Sequence, residues 1–118
     1  MTRSEKAVNY FSNKFNCSQS VLTAFGPDFE LNEDTCLKIS CAFGAGMGRQ
    51  QHVCGAVTGA LMALGLKYGK AINDDDSKKM HTYSKTNEFL NEFSKNHGSI
   101  NCLLLHLQSA MPMIREAS

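Results

Sequence analysis

The sequence predicts an all-α fold: a single-domain bundle of roughly five to six helices around a central, glycine-rich apolar helix. Three observations carry that expectation. Apolar residues recur at spacings of three and four through most of the chain, cap and stop residues bracket these stretches, and strand-like alternation is nearly absent. With 118 residues, the chain fits one domain and buries a core without staples.

Thr2 with Glu5 three residues on forms a capping box, after which Ala7, Val8, Phe11 and Phe15 make an apolar stripe; this is the first helix. Asn16 caps a second, short helix with Gln19 at its third position, Val21, Leu22 and Phe25 as its apolar residues, and Gly26-Pro27 as its stop. Asn32 opens a third, whose acidic first turn of Glu33 and Asp34 matches the helix dipole; it is expected to reach about Phe43 and end at Gly44. The stretch Gly44-Ala45-Gly46-Met47-Gly48-Arg49 reads as a flexible loop feeding the central helix, which spans Val53 to Leu66 and stops near Tyr68-Gly69. In that helix Gly55 and Gly59, Ala56 and Ala60, and Gly59 and Ala63 are each four apart, so small side chains share a side and neighbouring backbones can come close. Asn73 with Asp74, Asp75 and Asp76 opens a long polar helix carrying Met80, Tyr83, Phe89, Leu90 and Phe93, closed by Gly98. A last segment begins at Ser99 or Asn101 and runs on through Leu107 before Pro112.

Twelve basic and eleven acidic side chains interleave to a net charge of +1, which gives no nucleic-acid footprint and no polybasic membrane patch. The polar start lacks the apolar segment of a secretory signal, and the Val53–Leu66 run falls short of the ~20 residues of a membrane span. A soluble, cytoplasmic protein is expected. Five cysteines in such a chain, an odd number, argue against a structural disulfide framework and for thiol chemistry or metal binding.

Cys17, Cys54 and Cys102 all fall at predicted helix N-termini, where unpaired backbone amides and the positive dipole end stabilise a thiolate. For Cys54, Arg49 and His52 would add positive potential if the loop folds back. Cys36 and Cys41 fall inside the third helix, five apart and so roughly 140° around its axis, and read as small buried hydrophobes. No Cys-x-x-Cys pair occurs, so any dithiol or metal site is assembled from distant segments, and without Cys-x-x-Cys-His covalent haem attachment is unsupported.

These residues carry a resemblance. Cys54-Gly55-Ala56-Val57-Thr58-Gly59 resembles the CGAxxG motif of the C_GCAxxG_C_C family of small redox-active proteins with four characteristic cysteines. Phe15-Asn16-Cys17-Ser18-Gln19-Ser20-Val21-Leu22 resembles that family's first cysteine segment, and Phe43-Gly44-Ala45-Gly46-Met47-Gly48-Arg49 its glycine-rich lead-in. Gly59 to Gly69 and His97-Gly98-Ser99-Ile100-Asn101-Cys102 extend the likeness, which covers about residues 15–102. It implies a mostly helical cytoplasmic protein acting through thiols, often encoded near transporters, with no settled substrate. Carried over residue by residue, the family set is Cys17, Cys54 and Cys102; the fourth cysteine has no counterpart, and the tail after Cys102 looks unlike the family's.

The remaining candidates are weaker. His52, two residues before Cys54, is either a metal ligand, an aid to thiol deprotonation or a solvated loop residue. His81, His97 and His106 are scattered without ligand spacing. The Gly44-x-Gly46-x-Gly48 loop is not a dinucleotide fingerprint, since no strand precedes it and its spacing differs. Asp74 to Asp76 reads as a dipole-matched helix start, and Met47, Met62 and Met80 as core filler.

Three functional classes stay open. The first is a thiol redox protein, an oxidoreductase if it turns over, in which Cys54 attacks and Cys17 or Cys102 resolves; it needs sulfurs at Cα separations of roughly 4.4–6.8 Å. The second is an iron–sulfur or zinc protein held by Cys17, Cys54 and Cys102, with His52 as a further ligand. The third is a non-catalytic helical module that binds a transporter or a second copy of itself as a homodimer.

Overall fold

The computed structural model describes residues 2–50 and 52–100. Among them, five α-helices and two 3₁₀ turns account for the regular structure, and the fold is all-helical. The helices are α1 (Arg3–Ser12), α2 (Cys17–Phe25), α3 (Glu33–Ser40), α4 (Gly55–Tyr68) and α5 (Asp76–His97); the 3₁₀ turns are Gly26–Phe29 and Cys41–Phe43. The sixth helical segment expected beyond Ile100 lies outside the described residues. No described helix is long and apolar enough to cross a membrane.

The first two helices start as their sequences dictate. Thr2 and Glu5 close a capping box on α1, and Asn16 and Gln19 close one on α2. Asn32 caps α3 through the Thr35 amide at 2.8 Å. Two boundaries differ from expectation. α3 ends at Ser40, whose hydroxyl bonds back to the Cys36 carbonyl at 2.6 Å, and the chain tightens there into the Cys41–Phe43 turn. α5 is capped by Asp75 rather than Asn73, because the Asp74 carboxylate accepts the Ala71 amide at 2.9 Å and holds the preceding residues in a turn.

α2 packs against α1, α3 and α4, and α4 packs against α2 and α5. Eight of the nine α2 residues are buried, including Ser18, Gln19, Ser20 and Thr23. The core joins Val21, Ala24 and Phe25 of α2 to Val57, Ala60 and Leu64 of α4, with Phe89 and Phe93 of α5. Small residues set the distance between α2 and α4: a Cβ at Gly59 would lie 2.9 Å from the Ser18 carbonyl oxygen and 3.0 Å from Val21 Cβ. Across this contact Thr58 Oγ1 lies 3.2 Å from Ser18 Oγ and 3.1 Å from the Gly55 carbonyl.

The methionines expected in the core do not all reach it: Met47 is 39% exposed and Met80 59%. Met80 sits in the first turns of α5, where no residue is buried, and Met47 sits on the turn that follows α3. That turn is not a featureless loop, since Ala45, Gly46, Met47, Gly48 and Arg49 all have positive φ, between 50° and 74°.

Candidate functional site

Cys17 is the first residue of α2. Its neighbour Asn16 accepts the Gln19 amide at its side-chain oxygen at 2.9 Å, donates its own backbone amide to Gln19 Oε1 at 3.0 Å, and donates from Nδ2 to the Cys41 carbonyl at 3.0 Å. Gln19 Nε2 in turn donates to the Leu37 carbonyl at 3.0 Å. The start of α2 is thereby fastened to the end of α3, and Cys17 is held half-buried on a backbone that cannot fray freely.

Cys54 is the N-cap of α4, with φ −56° and ψ 136°. Its carbonyl accepts the Val57 and Thr58 amides at 2.9 and 3.0 Å, and its own amide donates to the Ile100 carbonyl at 2.7 Å. The residue is only 3% exposed. Cys102 lies outside the described residues, two positions after Ile100 in the sequence.

The two helix starts meet. A Cβ at Gly55 would lie 3.1 Å from Cys17 Cβ, 3.0 Å from the Ser18 amide nitrogen and 3.5 Å from the Phe43 carbonyl oxygen, so no side chain stands between the two mouths. The positive ends of two helix dipoles converge there, each equivalent to about half an elementary charge. No charged side chain lies on α2, and on α4 the only one is Lys67 in the last turn. That field favours thiolate, while burial opposes it, more at Cys54 than at half-buried Cys17.

The other sulfurs are set apart. Cys36 is buried, with Sγ 3.5 Å from the Leu31 carbonyl, and burial pushes its thiol up from the ordinary value. Cys41 departs from its expected place inside α3: it begins the 3₁₀ turn and is exposed, and what ties it to the site is its carbonyl, held by Asn16. His52 and Arg49 are exposed on the left-handed turn, their amides donating to the Gly46 and Gly44 carbonyls at 3.0 and 3.1 Å. Among the described residues no group of three or more His, Cys, Asp or Glu side chains is placed to hold a metal ion.

Sequence reasoning missed two elements of this arrangement. One is the reach of Asn16 across to Cys41; a cap residue advertises its own helix and nothing about a third element. The other is His97, whose Nε2 is buried with no hydrogen-bond partner among the described residues and whose ring lies 4.6 Å from that of Phe93. The signal was present, because Phe89, Phe93 and His97 recur every four residues and so share one side of α5.

The model of one family matches residues 15–117, which carries the likeness past Cys102 into the tail expected to be unlike the family's. Neither a curated protein nor a solved structure matches the chain. With its CGAxxG motif on α4 and the match running from the start of α2 nearly to the last residue, the chain belongs to the C_GCAxxG_C_C family, described as "Putative redox-active protein".

Proposed function

We propose that this is a thiol redox protein whose working pair is Cys17 and Cys54, cycling between dithiol and disulfide, with Cys102 as the third cysteine of the family set. The observation that carries the reading is the contact at Gly55: its neighbour Cys54 and the Cys17 Cβ, 3.1 Å from where a Gly55 Cβ would stand, border one shared helix mouth. In this reading α4 is the central, glycine-rich helix of the bundle, and its small residues serve to bring that mouth against α2.

Burial favours an order of attack opposite to the one expected from sequence. Cys17, half-buried, meets the substrate disulfide; Cys54, 3% exposed, waits behind it. The Cys17 thiolate attacks a disulfide R–S–S–R′, forming a mixed disulfide and releasing R′S⁻; Cys54 then displaces RS⁻ and closes the Cys17–Cys54 bond. The protein pair loses two electrons and the substrate disulfide gains them. A pair that cycles in this way suits the reducing cytoplasm, where dithiols are kept available.

Oxidation of the full chain with a small disulfide, followed by peptide mapping, tests the reading. A Cys17–Cys54 cross-link is expected, with Cys36 unmodified. Stoichiometric metal in protein purified without oxygen, or cross-linking no more frequent at Cys17 and Cys54 than at Cys41, would overturn it.

A further inference from the structure

We infer that the Cys17–Cys54 pair takes anionic disulfides, small molecules whose carboxylates sit close to the S–S bond, and that Lys14, Lys38 and Arg49 select them. The inference rests on the redox reading above and names its substrate class. It starts from where the charges fall. The net charge of +1 conceals a segregation: residues 6–27 and 35–73, which include both thiols, carry six basic side chains and no acidic one, while the rest of the chain carries all eleven acidic side chains against six basic.

The fold gathers three of those six basic residues around the start of α2. Lys14 stands three residues before Cys17, in the turn that follows α1, with φ +75°. Lys38 lies in the last turn of α3, and the capping box of α2 holds that turn on both sides of it: Gln19 Nε2 donates to the Leu37 carbonyl and Asn16 Nδ2 to the Cys41 carbonyl, each at 3.0 Å. Arg49 arrives on the left-handed turn, where its amide donates to the Gly44 carbonyl at 3.1 Å and Gly44 is packed on Asn16. All three side chains are exposed, and none has an ion pair among the described residues. Around the start of α5 the lysines behave differently. Lys70, Lys78, Lys79 and Lys85 pair with Asp76, Asp74, Asp76 and Glu88.

The acidic groups of the surrounding elements are engaged or stand at far ends. Asp28 pairs with Arg3 at 3.1 Å, and the Glu33 carboxylate accepts the Tyr10 hydroxyl. Glu33 and Asp34 occupy the first turn of α3, whose last turn carries Lys38; Glu5 occupies the first turn of α1, whose other end leads to Lys14. Neither α2 nor α4 carries an acidic residue, and on α5 Glu92 stands three residues before Lys95. To the three cations are added the positive ends of the α2 and α4 dipoles, which meet at the same mouth.

A disulfide that approaches Cys17 therefore meets positive potential from side chains and backbone alike. Carboxylates on its substituents raise its concentration at the mouth, and ammonium groups lower it. Steering of this kind changes encounter by about ten- to a thousandfold and fades as salt rises. The same charges favour the attacking thiolate of Cys17. The exchange itself is unchanged: Cys17 Sγ bonds to one substrate sulfur, the other leaves as a thiolate, and Cys54 then displaces the first as the pair closes.

The test compares oxidised glutathione, of net charge about −2 at neutral pH, with cystamine, of about +2. On the full chain, acid quench and mass mapping give the rate of mixed-disulfide formation at Cys17 with each probe. The ratio of the two rates is divided by the same ratio for 2-mercaptoethanol, which cancels the intrinsic reactivity of the probes and the charge of the thiolate itself. In about 0.01 M salt the protein is expected to favour oxidised glutathione by about tenfold on this scale, and in about 1 M salt by less than about twofold, since the Debye length falls from about 30 Å to about 3 Å. Lys14→Glu, Lys38→Glu and Arg49→Glu, made singly, are each expected to lower the low-salt preference by about twofold or more. A wild-type ratio near one, or one that salt leaves unchanged, overturns selection by charge and leaves the dithiol pair standing; these readings come from wild type and are independent of how the variants fold. A wild-type preference kept in all three folded variants overturns the assignment to these residues. A Cys17 mixed disulfide that never closes on Cys54 overturns the redox pair, and its substrate class with it.

Discussion

Gly59→Ala tests the close approach of α2 and α4 on which the shared mouth depends. An added Cβ would meet the Ser18 carbonyl oxygen at 2.9 Å, Val21 Cβ at 3.0 Å and the Leu22 amide nitrogen at 3.3 Å, where ordinary contact begins at 3.4 Å. Two of these neighbours are α2 backbone and the third is a β-branched stem, so none rotates aside; α2 as a whole must back away by about half an ångström, and overpacking of this kind costs about 1–3 kcal/mol. Against it stands the gain of about 1 kcal/mol from replacing glycine by alanine inside a helix. The net expectation is a loss of about 1 kcal/mol. Gly65 lies on the same helix and supplies the control, because a Cβ there meets nothing within 4 Å and the propensity gain stands alone. The two substitutions therefore have opposite signs and differ by about 2 kcal/mol. Urea unfolding of both variants resolves this, and in thermal melts it corresponds to shifts of roughly 3–6 °C per kcal/mol for a chain of this size. Gly59→Ala as stabilising as Gly65→Ala would refute the argument that glycine sets the α2–α4 spacing.

Asn16→Ala removes both the α2 cap and the bond to the Cys41 carbonyl, and is expected to lower stability by about 1–2 kcal/mol; an unchanged denaturation midpoint would show that Asn16 fastens nothing. Tyr10 is pushed up from 10.0 to about 12, first by burial and then by its hydrogen bond to the Glu33 carboxylate. Its folded form thus keeps the proton longer than the unfolded chain, so its contribution is fully present below about pH 10 and lost as pH rises through about 12, a decline that denaturant midpoints should show in wild type and not in Tyr10→Phe. Alkylation of native protein at neutral pH should label exposed Cys41 readily and reach Cys36 only on unfolding, since burial both shields that thiol and raises its pKa; equal labelling of the two in the folded state would contradict the placement of Cys36.

What the sequence made legible is what is decided within one helical turn. Thr2 with Glu5 and Asn16 with Gln19 each complete a cap by themselves, and both formed where expected. Where several residues of one type compete, the local rule loses its grip: Asn73, Asp74 and Asp75 are all plausible caps, and the choice fell to Asp75 because Asp74 is engaged with the Ala71 amide. Hydrophobicity alone did not place Met80, which is 59% exposed in the first half of α5, where no residue is buried. The site divides in the same manner. That Cys17 and Cys54 begin helices could be read from Asn16 and from the apolar run after Cys54; that the two beginnings touch depends on the packing of α2 on α4, for which the only trace was the spacing of Gly55 and Gly59. His97 was legible as a position on the Phe89–Phe93 side of α5.

The turn between α3 and α4 shows how far the local rules can be overridden. Ala45, Met47 and Arg49 hold positive φ, which costs an L-residue roughly 1–2 kcal/mol each, and the glycines alternate with them instead of replacing them. Such a conformation persists only where its surroundings over-determine it. Here the Met47, Arg49 and His52 amides donate back to the Phe43, Gly44 and Gly46 carbonyls, and Gly44 is packed so tightly on Asn16 that a Cβ there would come within 2.2 Å of Nδ2. One end of the strained turn thus rests on the residue that caps α2, and the other, Arg49, stands five residues before Cys54, which caps α4. The left-handed turn anchored on Asn16 holds the chain that leaves α3 against the cap of α2. The strain is offset by the same contacts that bring the cysteine-bearing helix starts together, which is why the segment least predictable from propensity lies directly beside the site.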